Sequence, residues 1–234
     1  MIFRQLIDPE TSSYSYLLGD ERTREAVLID PVLEQIERDC MLLGELGLRL
    51  HCILETHVHA DHVTASGQLR RRLGARIGAG ACAGVRNADW ALVHGQCVRV
   101  GDLRLEVRAT PGHTAGCVTY VWGEAGMAFT GDALLVRGCG RTDFQEGDAE
   151  TLFCSVRDRI FSLPDATLLY PGHDYHGRTV STVAEEKRFN PRLGLEVSLE
   201  EFREMMAQVD LAAPKRIAVT VPANLLSGLA PCPV

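Results

Sequence analysis

The spacing of hydrophobic and polar residues changes period repeatedly along the chain. Leu103, Leu105, Val107 and Ala109 alternate with polar neighbours, the period of a strand with one face buried. Short apolar runs at residues 15–18, 26–29, 117–122, 127–130 and 167–170 predict further strands, and 51–55 predicts a buried one. Helical spacing covers residues 33–46, where Gly47 stops it, and residues 149–161, where Asp148 is the expected N-cap. A third helix is expected over 199–209, opened by a capping box of Ser198 and Glu201. Two sheets with helices packed outside them follow from this mixture, and periodicity alone says only α/β or α+β. No repeat, low-complexity tract or Pro/Gly-rich linker divides the chain, so residues 1–234 read as one domain.

The bulk numbers narrow the functional classes. A chain of 234 residues with 46% hydrophobic and 24% charged residues can bury a sizeable core. Its net charge of -7, with no basic stripe, argues against a nucleic-acid partner. No apolar run approaches the roughly 20 residues needed to span a bilayer. Residues 1–13 contain Asp8 and Glu10 and read as neither signal nor transit peptide. The expected compartment is the cytoplasm, or the mitochondrial matrix if a transit peptide has been removed. Eight scattered cysteines without a C-x-x-C pair suit a reducing interior. A homodimer is left open.

The chemistry gathers at predicted strand ends. Thr56-His57-Val58-His59-Ala60-Asp61-His62 places four metal-capable side chains in six residues, between a strand and a helix. In an extended segment His57 and His59 point the same way, and Asp61 and His62 can turn back over the same cavity as the helix begins. Thr110-Pro111-Gly112-His113 forces a turn that sets His113 at a strand tip. Phe129-Thr130-Gly131-Asp132 and Tyr170-Pro171-Gly172-His173 repeat the pattern. Converging strand ends make a rigid metal cage.

This ordered set, H-x-H-x-D-H followed by a His, an Asp and a His, resembles the metallo-β-lactamase superfamily. The resemblance covers nearly the whole chain and implies a four-layer αββα sandwich with the metal at one edge of two sheets. Within the superfamily, residues 131–145 with Asp132, Arg137, Cys139 and Arg141 look like the persulfide dioxygenase family. So do Tyr170-Pro171-Gly172-His173-Asp174-Tyr175, residues 186–192 and Val221-Pro222-Ala223-Asn224.

That resemblance implies one Fe(II) per chain on His57, His113 and Asp132, a 2-His-1-carboxylate triad with positions left for substrate and O₂. His59, Asp61, His62 and His173 then become hydrogen-bond partners of the ligands, or the ligands of a second metal. The implied reaction takes glutathione persulfide, O₂ and water to sulfite and glutathione. Glutathione is anionic, so the pocket needs a cation. Arg141 is the first choice, with Tyr175 as a hydrogen-bond partner and Arg137 as substrate contact or loop support. Cys139 reads as buried and inert. The alternative is a glyoxalase II-type hydroxyacylglutathione hydrolase with a dinuclear site. An RNA-processing hydrolase is disfavoured by charge and length, and a non-catalytic sensor by the full ligand set.

Overall fold

Residues 1–229 are described by the computed structural model, so Cys232 lies outside the described residues. The first sheet holds β1 (Ile2–Asp8), β2 (Ser13–Gly19), β3 (Glu25–Ile29), β4 (Arg49–Leu54), β5 (Arg76–Gly80) and β6 (Trp90–Leu92), in the order of the chain. The second holds β7 (Cys97–Val100), β8 (Leu103–Ala109), β9 (Val118–Trp122), β10 (Met127–Gly131), β11 (Leu168–Pro171) and β12 (Ser181–Thr182), also in chain order. Both sheets are mixed. Hairpin neighbours pair antiparallel, while β3, β4, β5 and β6 run parallel, as do β10 and β11.

Alternation along each strand sorts its side chains into layers. Tyr16, Leu18, Val27, Ile29 and Leu54 face Leu105, Val107, Tyr120 and Phe129 across the gap between the sheets. Their neighbours point outward. Leu28, Ile53 and Ile77 pack against Ile36, Leu43 and Leu69 on helices α1 (Ile36–Glu45) and α2 (Ser66–Leu73). Val121 and Ala128 meet Leu152 of α3 (Ala149–Ser155), Val183 of α4 (Val183–Phe189) and Phe202 of α5 (Leu199–Ala207). The result is the four-layer αββα sandwich. Each fully buried Leu, Ile or Phe contributes roughly 1.5–3 kcal/mol to it. No helix among the described residues is long and apolar enough to cross a membrane.

Two expected helices change form where tertiary contacts intervene. The helix expected over 33–46 opens with a 3-10 turn, Leu33–Gln35, whose first N–H, on Leu33, bonds the Val63 carbonyl at 2.8 Å. The one expected over 149–161 widens into a π turn, Val156–Ile160. Arg157 of that turn donates to the Gly194 and Val197 carbonyls at 2.7 Å. The caps are as expected: Asp148 accepts from the Thr151 N–H, and Ser198 and Glu201 form the reciprocal box.

The parallel pairs position the site. Parallel neighbours end on the same side, so β3 and β4 deliver Asp30 and Thr56-His57 together. In the same way β10 and β11 deliver Asp132 and His173, with Gly131 opposite Pro171. The last helix, α6 (Ile217–Asn224), closes that edge.

Candidate metal centre

His57, His113 and Asp132 bring one ligand atom each to within 4.8 Å of one another. Each is fixed by its other polar atom. The Thr56 hydroxyl gives its hydrogen to Asp30 at 2.7 Å, so it accepts from His57 Nδ1 at 2.9 Å and leaves His57 Nε2 open. His113 Nδ1 donates to the Arg141 carbonyl at 2.7 Å, leaving Nε2. Asp132 Oδ1 accepts from His173 Nδ1 at 2.7 Å, leaving Oδ2. His113 Nε2 and Asp132 Oδ2 are 3.7 Å apart, a distance two ligands about 2.1 Å from one ion can span. This donor set fits a divalent metal.

Glycines make two of these positions reachable. Gly112 has φ +131°, and a Cβ there would run into the backbone of Leu152 on α3. Gly131 has φ +51°, and a Cβ there would strike the Thr56 side chain that braces His57. Gly112 is thus a steric requirement of packing the His113 turn against α3, and Gly131 of bringing the two sheets' loops together.

Electrostatics favour the ligand forms. Burial, with His59 beside it, pushes His57 well below the ordinary imidazole range, so it is neutral and offers a lone pair. Burial works against the Asp132 carboxylate, but the charge and hydrogen bond of His173 outweigh it and hold that carboxyl below its usual range.

The remaining histidines and Asp61 form an adjoining cluster. Asp61 Oδ2 takes hydrogen bonds from His62 Nδ1 at 2.9 Å and His173 Nε2 at 3.1 Å. With Asp132 on its other nitrogen, His173 is bonded at both ends. His59 Nε2 stands 3.2 Å from Asp30 and 3.3 Å from Glu55, although neither of its nitrogens makes an aligned hydrogen bond. Burial lowers its affinity for a proton, but the two carboxylates prevail and raise its pKa to about 10.

Known proteins decide the kinship. A model of the metallo-beta-lactamase superfamily matches residues 8–81 and 83–173. The mitochondrial persulfide dioxygenase ETHE1 of Bos taurus is 54% identical, over 98% of this chain and 89% of its own length. The chain belongs to the persulfide dioxygenase family. A crystal structure of ETHE1 from Myxococcus xanthus, also 54% identical, superposes with a TM-score of 0.95 and covers 98% of this chain and 100% of that one. The hydroxyacylglutathione hydrolase of Cereibacter sphaeroides is 36% identical, over 78% of this chain and 71% of its own. The superfamily fold and the His/Asp cluster together support a metal cofactor.

In this persulfide dioxygenase family member the triad opens into a cavity of about 520 Å³, within the range of small-molecule sites. Leu135, Leu211 and Pro214 give it an apolar wall, and Arg141 and Tyr175 line it as well. Tyr175 is 68% exposed and stacks on His173 with ring centroids 6.0 Å apart. The guanidinium of Arg141 is heavily engaged. It makes a bidentate pair with Asp143, both bonds 2.6 Å, and donates to the Leu211 and Ala212 carbonyls at 3.0 and 2.8 Å. Arg137 is not among the residues lining the cavity. It binds Glu185, Glu186 and Ser181 and lies over the Phe189 ring, which ties its loop to α4. Cys139 is buried, and burial pushes its thiol up to about 11.

The sequence reading gave no role to several working residues. Asn224 donates to the carbonyls of both His59 and His62 at 2.8 Å and accepts from the Thr64 N–H, pinning the histidine loop to α6. Gln145 holds the Val58 carbonyl at 2.7 Å. Asp30 repeats the acid-after-strand pattern and so was open to detection, whereas Asn224 and Gln145 stand in motifs that carried the family resemblance but whose spacing does not reveal these contacts.

Proposed function

We propose that the protein is a persulfide dioxygenase that oxidises glutathione persulfide, with a single Fe(II) per chain held by His57, His113 and Asp132. One observation carries the reading. Three ligand atoms stand open at the floor of the cavity, in a chain 54% identical to a persulfide dioxygenase over nearly its whole length.

Glutathione persulfide, O₂ and water become glutathione and sulfite. Taking sulfane sulfur to sulfite removes four electrons, and one O₂ accepts four, so no external reductant is required. Fe(II) bound at this triad supplies the one-electron chemistry toward O₂ that side chains lack. Thr56, the Arg141 carbonyl and His173 hold the three ligands from behind, so their free atoms share one face. The apolar wall receives the sulfur and methylene end of the substrate. Tyr175 and the N–H of Arg141 left over after its four bonds are the groups offered to the peptide carboxylates.

An oxygen electrode and product analysis test the reading. In air, each O₂ consumed with glutathione persulfide should yield one sulfite and one glutathione. In an anaerobic chamber the persulfide should not turn over. Anaerobic hydrolysis of S-lactoylglutathione, with no oxygen uptake on persulfide, would replace it with the thioester hydrolase. Two zinc ions per chain in native preparations, with activity following zinc, would remove the iron assignment.

A further inference from the structure

Beside the triad, one buried hydroxyl stands among the atoms a second metal would need. Ser13 Oγ lies 2.9 Å from His173 Nε2, 3.1 Å from Asp61 Oδ2 and 3.4 Å from His62 Nδ1. Ligands close to about 2.0–2.2 Å around a bound ion. Here the three atoms are spread at hydrogen-bonding distance around an oxygen instead.

The backbone holds Ser13 there firmly. Asp8 organises the turn before it, accepting from the Thr11 N–H at 3.0 Å, the Thr11 hydroxyl at 2.7 Å and, through its carbonyl, the Ser12 N–H at 2.9 Å. Ser12 takes φ +61°, a left-handed conformation uncommon outside glycine. The Tyr14 N–H then bonds the Gly172 carbonyl at 2.8 Å and the Asp174 N–H bonds the Ser12 carbonyl at 3.2 Å, clipping Ser13 to the segment that carries His173. The Thr11 hydroxyl, 2.7 Å away, anchors the Ser13 hydroxyl from the far side.

The cluster also retains unused ligand capacity. His62 Nε2 is buried without a hydrogen-bond partner, and His59, Asp61 and His62 each bring a ligand atom to within 4.8 Å of the others. Residues able to hold a second ion are therefore present, and the Ser13 hydroxyl stands among three of them, Asp61, His62 and His173.

We propose that Ser13 is the residue that keeps this centre mononuclear, by filling the second metal position with a hydroxyl that accepts from His173 and stands within 3.4 Å of Asp61 and His62. Ser13 acts as a positioning residue. The inference rests on the one-metal reading of the triad.

Counting bound metal in the full chain tests it, with Co²⁺ added to saturation without air and bound cobalt measured by elemental analysis and calorimetry. Wild type should hold one equivalent. Ser13→Gly should hold two, the second bound roughly tenfold or more tightly than any second ion on the wild type, the scale on which groups bonded to ligands alter metal affinity. Ser13→Thr, which keeps the hydroxyl, should return to one. Ser13→Ala removes the hydroxyl with less backbone disturbance and gives the answer if the glycine variant does not fold. Folded Gly and Ala variants that stay at one equivalent overturn the role of Ser13 and leave the one-metal reading standing. A wild type that binds two equivalents equally well overturns both.

Discussion

On the floor of the cavity, His57, His113 and Asp132 stand just past strand ends, and each surrenders one polar atom to the protein while keeping the other free. On the rim, Arg141 binds Asp143 and two carbonyls of the segment between α5 and α6, while Tyr175 is exposed and stacks on His173. The floor is preorganised by short contacts that two sheets enforce. The rim is held by one forked side chain clasping a segment with no regular structure. Preorganisation of that kind confines large functional effects to the floor and leaves graded ones to the rim.

Removing a floor residue is the severest test of this contrast. His57→Ala or Asp132→Ala should lower metal content to background and abolish turnover. The circular dichroism spectrum should stay near that of the wild type, since both positions lie beyond the strands and outside the apolar core. Elemental analysis beside oxygen uptake decides it, and near-wild-type turnover in either variant would put that ligand elsewhere.

Alkali probes the packing beneath floor and rim together. Burial pushes the thiols of Cys52 and Cys117 up to about 12 and that of Cys139 to about 11, from an ordinary 9.0. A raised folded value means the fold favours the neutral thiol. Its contribution is complete below pH 9 and is lost as pH climbs, because the unfolded thiols ionise first. Stability should fall by about 1.4 kcal/mol per pH unit for each such thiol. Urea midpoints at pH 8 and pH 10.5 measure this, and equal midpoints would contradict the burial described.

Arg141→Ala should act at the rim alone. Losing a charge-assisted contact costs about 1.5–3 kcal/mol, or one to two decades in affinity, so KM for glutathione persulfide should rise while metal content holds. Amide exchange should quicken across residues 208–216 if the side chain clasps that segment. Loss of metal instead would show that His113 depends on the side chain as well as on the Arg141 carbonyl. Tyr175→Phe should do least, a few-fold rise in KM at most, consistent with one exposed hydrogen bond of about 0.5–1.5 kcal/mol. A collapse of turnover in this variant would place the phenol among the reacting groups.

The same contrast explains what could be read in the sequence. The floor was legible because His57, His113 and Asp132 each follow a run of strand character, and His113 and Asp132 come directly after a glycine. The αββα architecture came from family resemblance, since alternation reports one face of one strand and not the sheet it joins. Strand β2 was read short, as 15–18, because Ser13 is polar yet buried. Helix α6 was not recognised, as Pro222 lies inside it and argues against a helix. The contacts of Asn224 and Ser13 each bridge about 160 positions of chain, where local pattern has no bearing. The guanidinium of Arg141 was expected to be free for substrate, but it is shared with carbonyls some 70 residues away.

Each sheet is built from strands consecutive in the chain, and this has a kinetic consequence. Most strand pairs form between sequence neighbours, so each half of the sandwich can assemble with little loop closure. An ion held as proposed, by His57 from one sheet and by His113 and Asp132 from the other, would bridge the two halves and bind fully only after they have docked. Its binding energy then accrues late, lengthening the lifetime of the docked state more than it hastens folding. Stripping the metal should first speed the parting of the two halves, before it unravels either one.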